Sequence, residues 1–305
     1  MLNNTFYVNH PNKNIKEKML IYKSDLKYKK HSKLNLEDYK LNNPDVNELH
    51  GEDMDTLQFR LNDCLKTGGL VLDISHLDLE ELPDIPNSVK QLYCSDNDLV
   101  DVSKLKYLTN LKVLDMSNNK VNKLPKFHHS LKELACRNNY LDDINTLTLC
   151  PLLKRLDCSY NKIANIPILN NLQILVCNNN KISKLENLYK LQRLVCSYNS
   201  IHTIDNLYNL KNIECNNNLL TVIKNYPKLL TLYCENNKIE KLENLDSIKI
   251  CCCYKNNVTK LNYFKTLEEL YCDKDKMNEI SSKYIIHAAT ADKKGVLYIA
   301  FKNII

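Results

Sequence analysis

The chain contains no tryptophan, only five phenylalanines and only four glycines in 305 residues. Glycine this sparse leaves no Gly-rich loop to cradle a phosphate, and no Walker, kinase or Ser/His/Asp pattern can be assembled, which argues against a catalytic chain. No run approaches the roughly 18 to 20 apolar residues of a membrane span. The opening MLNNTFYVNHPNKN lacks the apolar centre of a secretion signal, so the chain is expected in a cytoplasm, its own cell's or an infected host's. A CxxC pair is absent and no His lies at ligand spacing from a cysteine, so no metal and no cofactor are expected.

What the chain does have is a repeated phrase. Leu-x-x-Leu-x-Cys-x-x-Asn-x-Ile/Leu recurs eleven times between Leu70 and Met277. Its Asn falls at Asn97, Asn119, Asn139, Asn161, Asn180, Asn199, Asn218, Asn237 and Asn256, with Leu77 and Asp275 in the slots of the two end copies. The step is 20 or 22 residues as far as Asn161 and 19 thereafter.

In Leu188 to Leu207, Leu194 and Cys196 alternate with Arg193, Val195 and Ser197, the period of two that buries one face of a short strand. One copy cannot bury that face alone, so copies must stack with their strands parallel. The Asn column has a structural task in such a stack, bonding backbone groups of the turn and of the next copy. With 19 residues per copy the return path has room for turns and extended chain, and short helical turns fit only the 22-residue copies.

Nine of the thirteen cysteines share one inward slot, filled by Met116 and Ile74 in the two exceptions. The slot therefore wants a modest apolar group, and a thiol serves as one. So many free thiols argue for a reducing compartment.

The period is the signature of a leucine-rich repeat, and the chain is identified as a member of that family. The fold class expected is a mostly β, α/β repeat protein, a solenoid or horseshoe with a parallel concave sheet and short irregular convex segments. Thr56 to Pro86, TLQFRLNDCLKTGGLVLDISHLDLEELPDIP, resembles the entry to the leucine-rich domains of bacterial type III effectors. Leu57, Leu61, Cys64 and Leu65 share one helical face there, and Gly68 and Gly69 follow at the C-cap position.

Some of those effectors are ubiquitin ligases, which the resemblance ties to a separate domain with a Cys-x-Asp nucleophile. Here about 25 residues follow the last repeat and Cys272-Asp273-Lys274-Asp275 has the wrong spacing, so the activity is not carried over. The interior, LENLYKLQRLVCSYNSI and LENLDSIKICCCYKNNV, is similar to intracellular repeats, including phosphatase-regulating ones, and to those of giant viruses. The domains expected are a basic N-terminal segment over 1–52, a capping helix over 53–69, eleven repeats over 70–280 and a cap strand over 281–305.

Function is sought at the outward strand positions, which the fold leaves open. The first half alternates Asp and Ser. The middle carries Ile174, Val176, Arg193 and Val195, and the last third carries Tyr233, Glu235, Ile250, Cys252, Tyr254 and Tyr271. Exposed apolar and aromatic groups rimmed by charge read as a site for a protein partner. The acids at Asp73, Asp115, Asp157, Glu214, Glu235 and Asp273 speak against nucleic acid there.

Residues Lys13 to Lys40 hold nine Lys against four acids, with Ile15, Met19, Tyr22 and Leu26 at helical spacing. The reading is a monomeric, non-enzymatic interaction module that binds protein on its concave face. The alternative is an adaptor that recruits a phosphatase or ubiquitin ligase through its N-terminal segment.

Overall fold

The computed structural model describes residues 56–274, 279–280, 283–284, 286–292 and 295–301. The basic segment 1–52, the helix expected around Ile15 to Leu26 and Asp275 of the last copy lie outside the described residues. Thr56–Ile305 forms one compact unit.

Among the described residues the main sheet has thirteen strands, of which the first eleven are short and belong one to each copy: Val71–Asp73, Gln91–Tyr93, Val113–Asp115, Glu133–Ala135, Arg155–Asp157, Ile174–Val176, Arg193–Val195, Asn212–Glu214, Thr231–Tyr233, Ile250–Cys252 and Glu269–Asp273. These eleven pair in parallel with neighbouring copies in the same register, so Leu72, Leu92, Leu114, Leu134, Leu156, Leu175, Leu194, Ile213, Leu232, Cys251 and Leu270 form one row. Every member of that row is buried, as is the cysteine row two residues on. Each fully buried Leu is worth roughly 1.5 to 3 kcal/mol. That gain accrues only when copies stack, which is why the repeat folds as an array.

Asn199 shows how the turns are held. Its Nδ2 donates to the Cys177 carbonyl of the preceding copy at 2.9 Å and to Cys196 and Ser197 carbonyls of its own copy at 3.1 and 3.4 Å. Its Oδ1 accepts from the Ile182 N–H at 3.0 Å. The same arrangement recurs at Asn97, Asn119, Asn139, Asn161, Asn180, Asn218, Asn237 and Asn256. The residue before each Asn slot is left-handed, from His76 before Leu77 through Lys255. Asn and Asp fill more than half of that column, as their tolerance of positive φ allows.

The return paths follow copy length. Three-ten turns occur at Ser103–Tyr107 and Asn145–Leu149, both inside 22-residue copies. The later 19-residue copies instead form short outer strands that the period does not predict: Lys184–Glu186 with Thr203–Asp205, and Val222–Lys224 with Lys241–Glu243. Each of these four ends on a left-handed Asn, at Asn187, Asn206, Asn225 and Asn244.

The helix Leu57–Lys66 meets the open edge of the first strand, with Thr56 as its N-cap. Gly69 N–H donates to the Cys64 carbonyl at 2.7 Å and Gly68 N–H to Leu65 at 3.3 Å, a C-terminal lock that needs the positive φ of both glycines. Cys64 is buried, Leu57 and Leu61 pack on the core, and Arg60 Nη1 donates to the Ser75 carbonyl at 2.8 Å. Leu65 departs from the expected apolar face: it is 58% exposed, lying past the row that reaches the strand.

At the other end the closing segment is a hairpin rather than the single cap strand expected. Val296–Phe301 pairs antiparallel with Glu269–Asp273, and Ile286–Ala291 pairs antiparallel with Val296–Phe301. Tyr284 stacks on Phe301 and accepts from the Phe264 N–H at 2.7 Å, which ties the hairpin to the last repeats.

Candidate functional site on the outward face of the main sheet

The first half of the outward face proves to be engaged in holding the fold. Asp73, Asp115 and Asp157 each accept through Oδ1 from the N–H two residues on, at Ser75, Ser117 and Ser159, at 2.9 to 3.0 Å. These N–H groups leave the strand and lack a ladder partner, so the carboxylate supplies one. At Val176, Val195, Glu214 and Tyr233, which replace the Asp, the preceding copy takes over. Ser159 Oγ accepts from Asn178 N–H, Asn178 Oδ1 from Ser197, Ser197 Oγ from Asn216, and Asn216 Oδ1 from Glu235. Burial raises the Asp115 and Asp157 carboxyls above their ordinary range, against the lowering effect of those hydrogen bonds.

In the middle of the face, and at Ile250 and Cys252 in its last third, the expected exposed apolar patch is corrected. Val176 and Val195 are 3% and 5% exposed, and Cys252 is also 5% exposed. Strands stacked about 4.8 Å apart let longer side chains close over short ones between them. Ile174, Arg193 and Ile250, first in their strands, stay half-buried, and Arg193 Nη2 meets Glu214 Oε1 at 3.5 Å.

The last third differs. Tyr233, Glu235, Tyr254 and Tyr271 are each half-buried. Glu235 joins neighbouring copies: it accepts from the Tyr254 hydroxyl at 2.8 Å through Oε2 and from the Cys252 thiol at 3.2 Å through Oε1. Tyr271 donates its hydroxyl to Glu269 at 3.0 Å. Burial first, then the adjacent carboxylates, push the hydroxyls of Tyr254 and Tyr271 far above the ordinary tyrosine value. Both rings therefore stay neutral, with their hydroxyl ends fixed.

Tyr298, which sequence reading missed, continues this row. It lies opposite Tyr271 in the antiparallel register, the ring centroids 5.0 Å apart. Alternation in Gly295 to Ile305 was the available signal, but only the reversed pairing of that strand puts Tyr298 beside Tyr271. Among the described residues no group of three or more His, Cys, Asp or Glu is arranged to hold a metal ion. No described helix is long and apolar enough to cross a membrane.

The family model for leucine-rich repeats in two copies matches residues 87–128 and 151–190. A comparison with curated protein sequences finds no match. Among solved structures, the chain is similar to an internalin (inlF) of Listeria monocytogenes, 24% identical over 64% of this chain and 61% of that one, with a TM-score of 0.54. YopM of Yersinia enterocolitica is 22% identical over 81% of this chain and 68% of its own, with a TM-score of 0.51. A TDR receptor is 22% identical over 68% and 43% of the two chains, with a TM-score of 0.57. The chain thus spans under two thirds of the internalin and less than half of the receptor, and at these identities the likeness is one of fold.

Proposed function

We propose that this leucine-rich-repeat chain is a non-enzymatic interaction module whose C-terminal outward face, from Tyr233 to Tyr298, engages a protein partner. The fold itself is a protein-interaction scaffold. What carries the finer reading is one observation: Tyr271 and Tyr298 stand half-open and side by side, with the half-open Tyr254 clamped on Glu235 in the copy before, on a sheet face whose other half is spent on capping its own backbone. Aromatic rings held rigid by hydroxyl bonds offer large contact area at small entropic cost, the composition of interface hot spots.

Working place follows from the thiols. Thirteen unpaired cysteines, all buried, support a reducing compartment such as the cytoplasm. The test is a quantitative pull-down from cytoplasmic extract with the wild-type chain, with Tyr233→Ala, Tyr254→Ala and Tyr271→Ala combined, and with a chain lacking residues 1–52. A partner lost with the three substitutions, in a protein that still melts cooperatively, supports the face. A partner lost only with residues 1–52 sinks it.

A further inference from the structure

The residue that leads into each strand, seven positions before the Asn slot, forms a column on one flank of the solenoid. In four successive copies it is lysine: Lys90, Lys112, Lys132 and Lys154. Backbone hydrogen bonds join them directly, Lys112 N–H to Lys90 carbonyl at 2.7 Å, Lys132 to Lys112 at 2.8 Å and Lys154 to Lys132 at 2.8 Å. The ammonium groups therefore rise from backbone sites one strand spacing apart, about 4.8 Å. Lys112, Lys132 and Lys154 are exposed, and no ion pair engages any of the four among the described residues. Glu133, next to Lys132 in sequence, is met by Arg155 at 3.7 Å.

Folding does not require this arrangement. The next two copies place Gln173 and Gln192 in the same column and stack equally well, with Gln173 N–H on the Lys154 carbonyl at 2.9 Å and Gln192 on Gln173 at 2.8 Å. Like charges on adjacent strands also cost stability. Beyond the lysines the flank opens into a shallow groove lined by Gln173, Lys190, Gln192, Asn209, Lys211 and Lys228. Two of those lysines are fixed, Lys190 on Asn171 at 2.6 Å and Lys228 on Asn209 at 2.7 Å.

We propose that this flank is a second interaction surface, separate from the tyrosine face, that takes an extended acidic segment of a partner protein. The lysines meet its carboxylates, and the side-chain amides of the groove bond its backbone. The single file argues for a peptide over nucleic acid. No tyrosine or phenylalanine occupies the column for a base to stack on.

The test uses the full chain and a fluorescent oligoglutamate of about ten residues, with oligoserine and oligothymidylate of equal length as comparisons. Lys112→Gln, Lys132→Gln and Lys154→Gln together are expected to weaken oligoglutamate binding by about tenfold or more while the protein melts at or above the wild-type temperature. Carbodiimide coupling of the bound peptide, mapped by mass spectrometry, is expected on Lys112, Lys132 and Lys154. Unchanged affinity overturns the proposal, as does coupling spread evenly to Lys120, Lys162, Lys181 and Lys238. Tighter binding of oligothymidylate, lost in the same variant, would assign the flank to nucleic acid instead, and a lower melting temperature would make the column structural.

Discussion

Tyr254 donates its hydroxyl to Glu235 at 2.8 Å, so one copy's outward tyrosine is clamped by the carboxylate of the copy before it. Removing only that donor, as Tyr254→Phe, leaves Glu235 with the Cys252 thiol, a weak donor. Hydrogen bonds to charged groups contribute about 1.5 to 3 kcal/mol when buried, less where solvent reaches them. The expected loss is thus about 1 kcal/mol in denaturant unfolding. Glu235→Gln, which keeps an acceptor, should lose less than Tyr254→Phe. The reverse order would mean that the ring, not its hydroxyl, is held.

The Asn column supports a larger effect. Asn218 donates to the Cys196, Cys215 and Asn216 carbonyls at 3.0, 3.1 and 3.2 Å and accepts from Ile201 N–H at 3.0 Å. Asn218→Ala leaves buried backbone groups in two copies without a partner, at about 1 to 3 kcal/mol for each group that water cannot reach. A loss of about 3 kcal/mol or more is expected in urea unfolding. Asn218→Asp should be nearly as damaging, because a carboxylate cannot donate to the three carbonyls. A loss near zero for either would mean that the turn is held by its strand neighbours alone.

Much of this was readable in the sequence because a repeat states its register many times. The Leu and Cys rows follow from the period, and copy length confined short helical turns to the 22-residue copies, where Ser103–Tyr107 and Asn145–Leu149 lie. The outward face was less legible. Val176 and Asp157 occupy equivalent slots, but their roles depend on the side chains stacked on either side, which the spacing of one copy does not encode. Tyr298 belongs to no repeat, and its place beside Tyr271 depends on a chain reversal that only the folded hairpin reveals. The second Asn column, Asn187 to Asn244, had a signal in the recurring E-N-L, D-N-L, K-N-Y and E-N-L triplets.

The thiols give a prediction with a pH sign. All thirteen are buried, and burial pushes Cys150 up to about 11 and Cys272 up to about 12 from 9.0. A folded thiol that keeps its proton while the unfolded one loses it contributes stability that is full below pH 9 and drains away as pH rises toward 11 to 12. Stability should therefore fall steeply above pH 9. In an Ellman assay at pH 8 the native chain should show almost no reactive thiol, and the denatured chain all thirteen. Rapid reaction of several thiols in the native state would mean that the cysteine row opens to solvent.

Asp115 separates the two roles that a carboxylate plays on the outward face. As an acceptor for Ser117 N–H at 3.0 Å it is useful, but as a charge it is costly, since burial first and Asp157 and Asp96 after it raise its pKa. With the folded value above the unfolded one, the contribution is present at acid pH and lost as pH climbs through the folded value. Asp115→Asn keeps an oxygen in the accepting position and removes the charge that burial disfavours, so it should stabilise the fold at pH 7. Below the ordinary carboxylate value of 3.8 the native residue is neutral as well, so melting curves of the two proteins should converge there. An equal gain at both pH values would trace the effect to packing. A loss at pH 7 would show that the ionised oxygen's stronger hydrogen bond outweighs its burial, and that the alternating Asp positions are favoured for their charge.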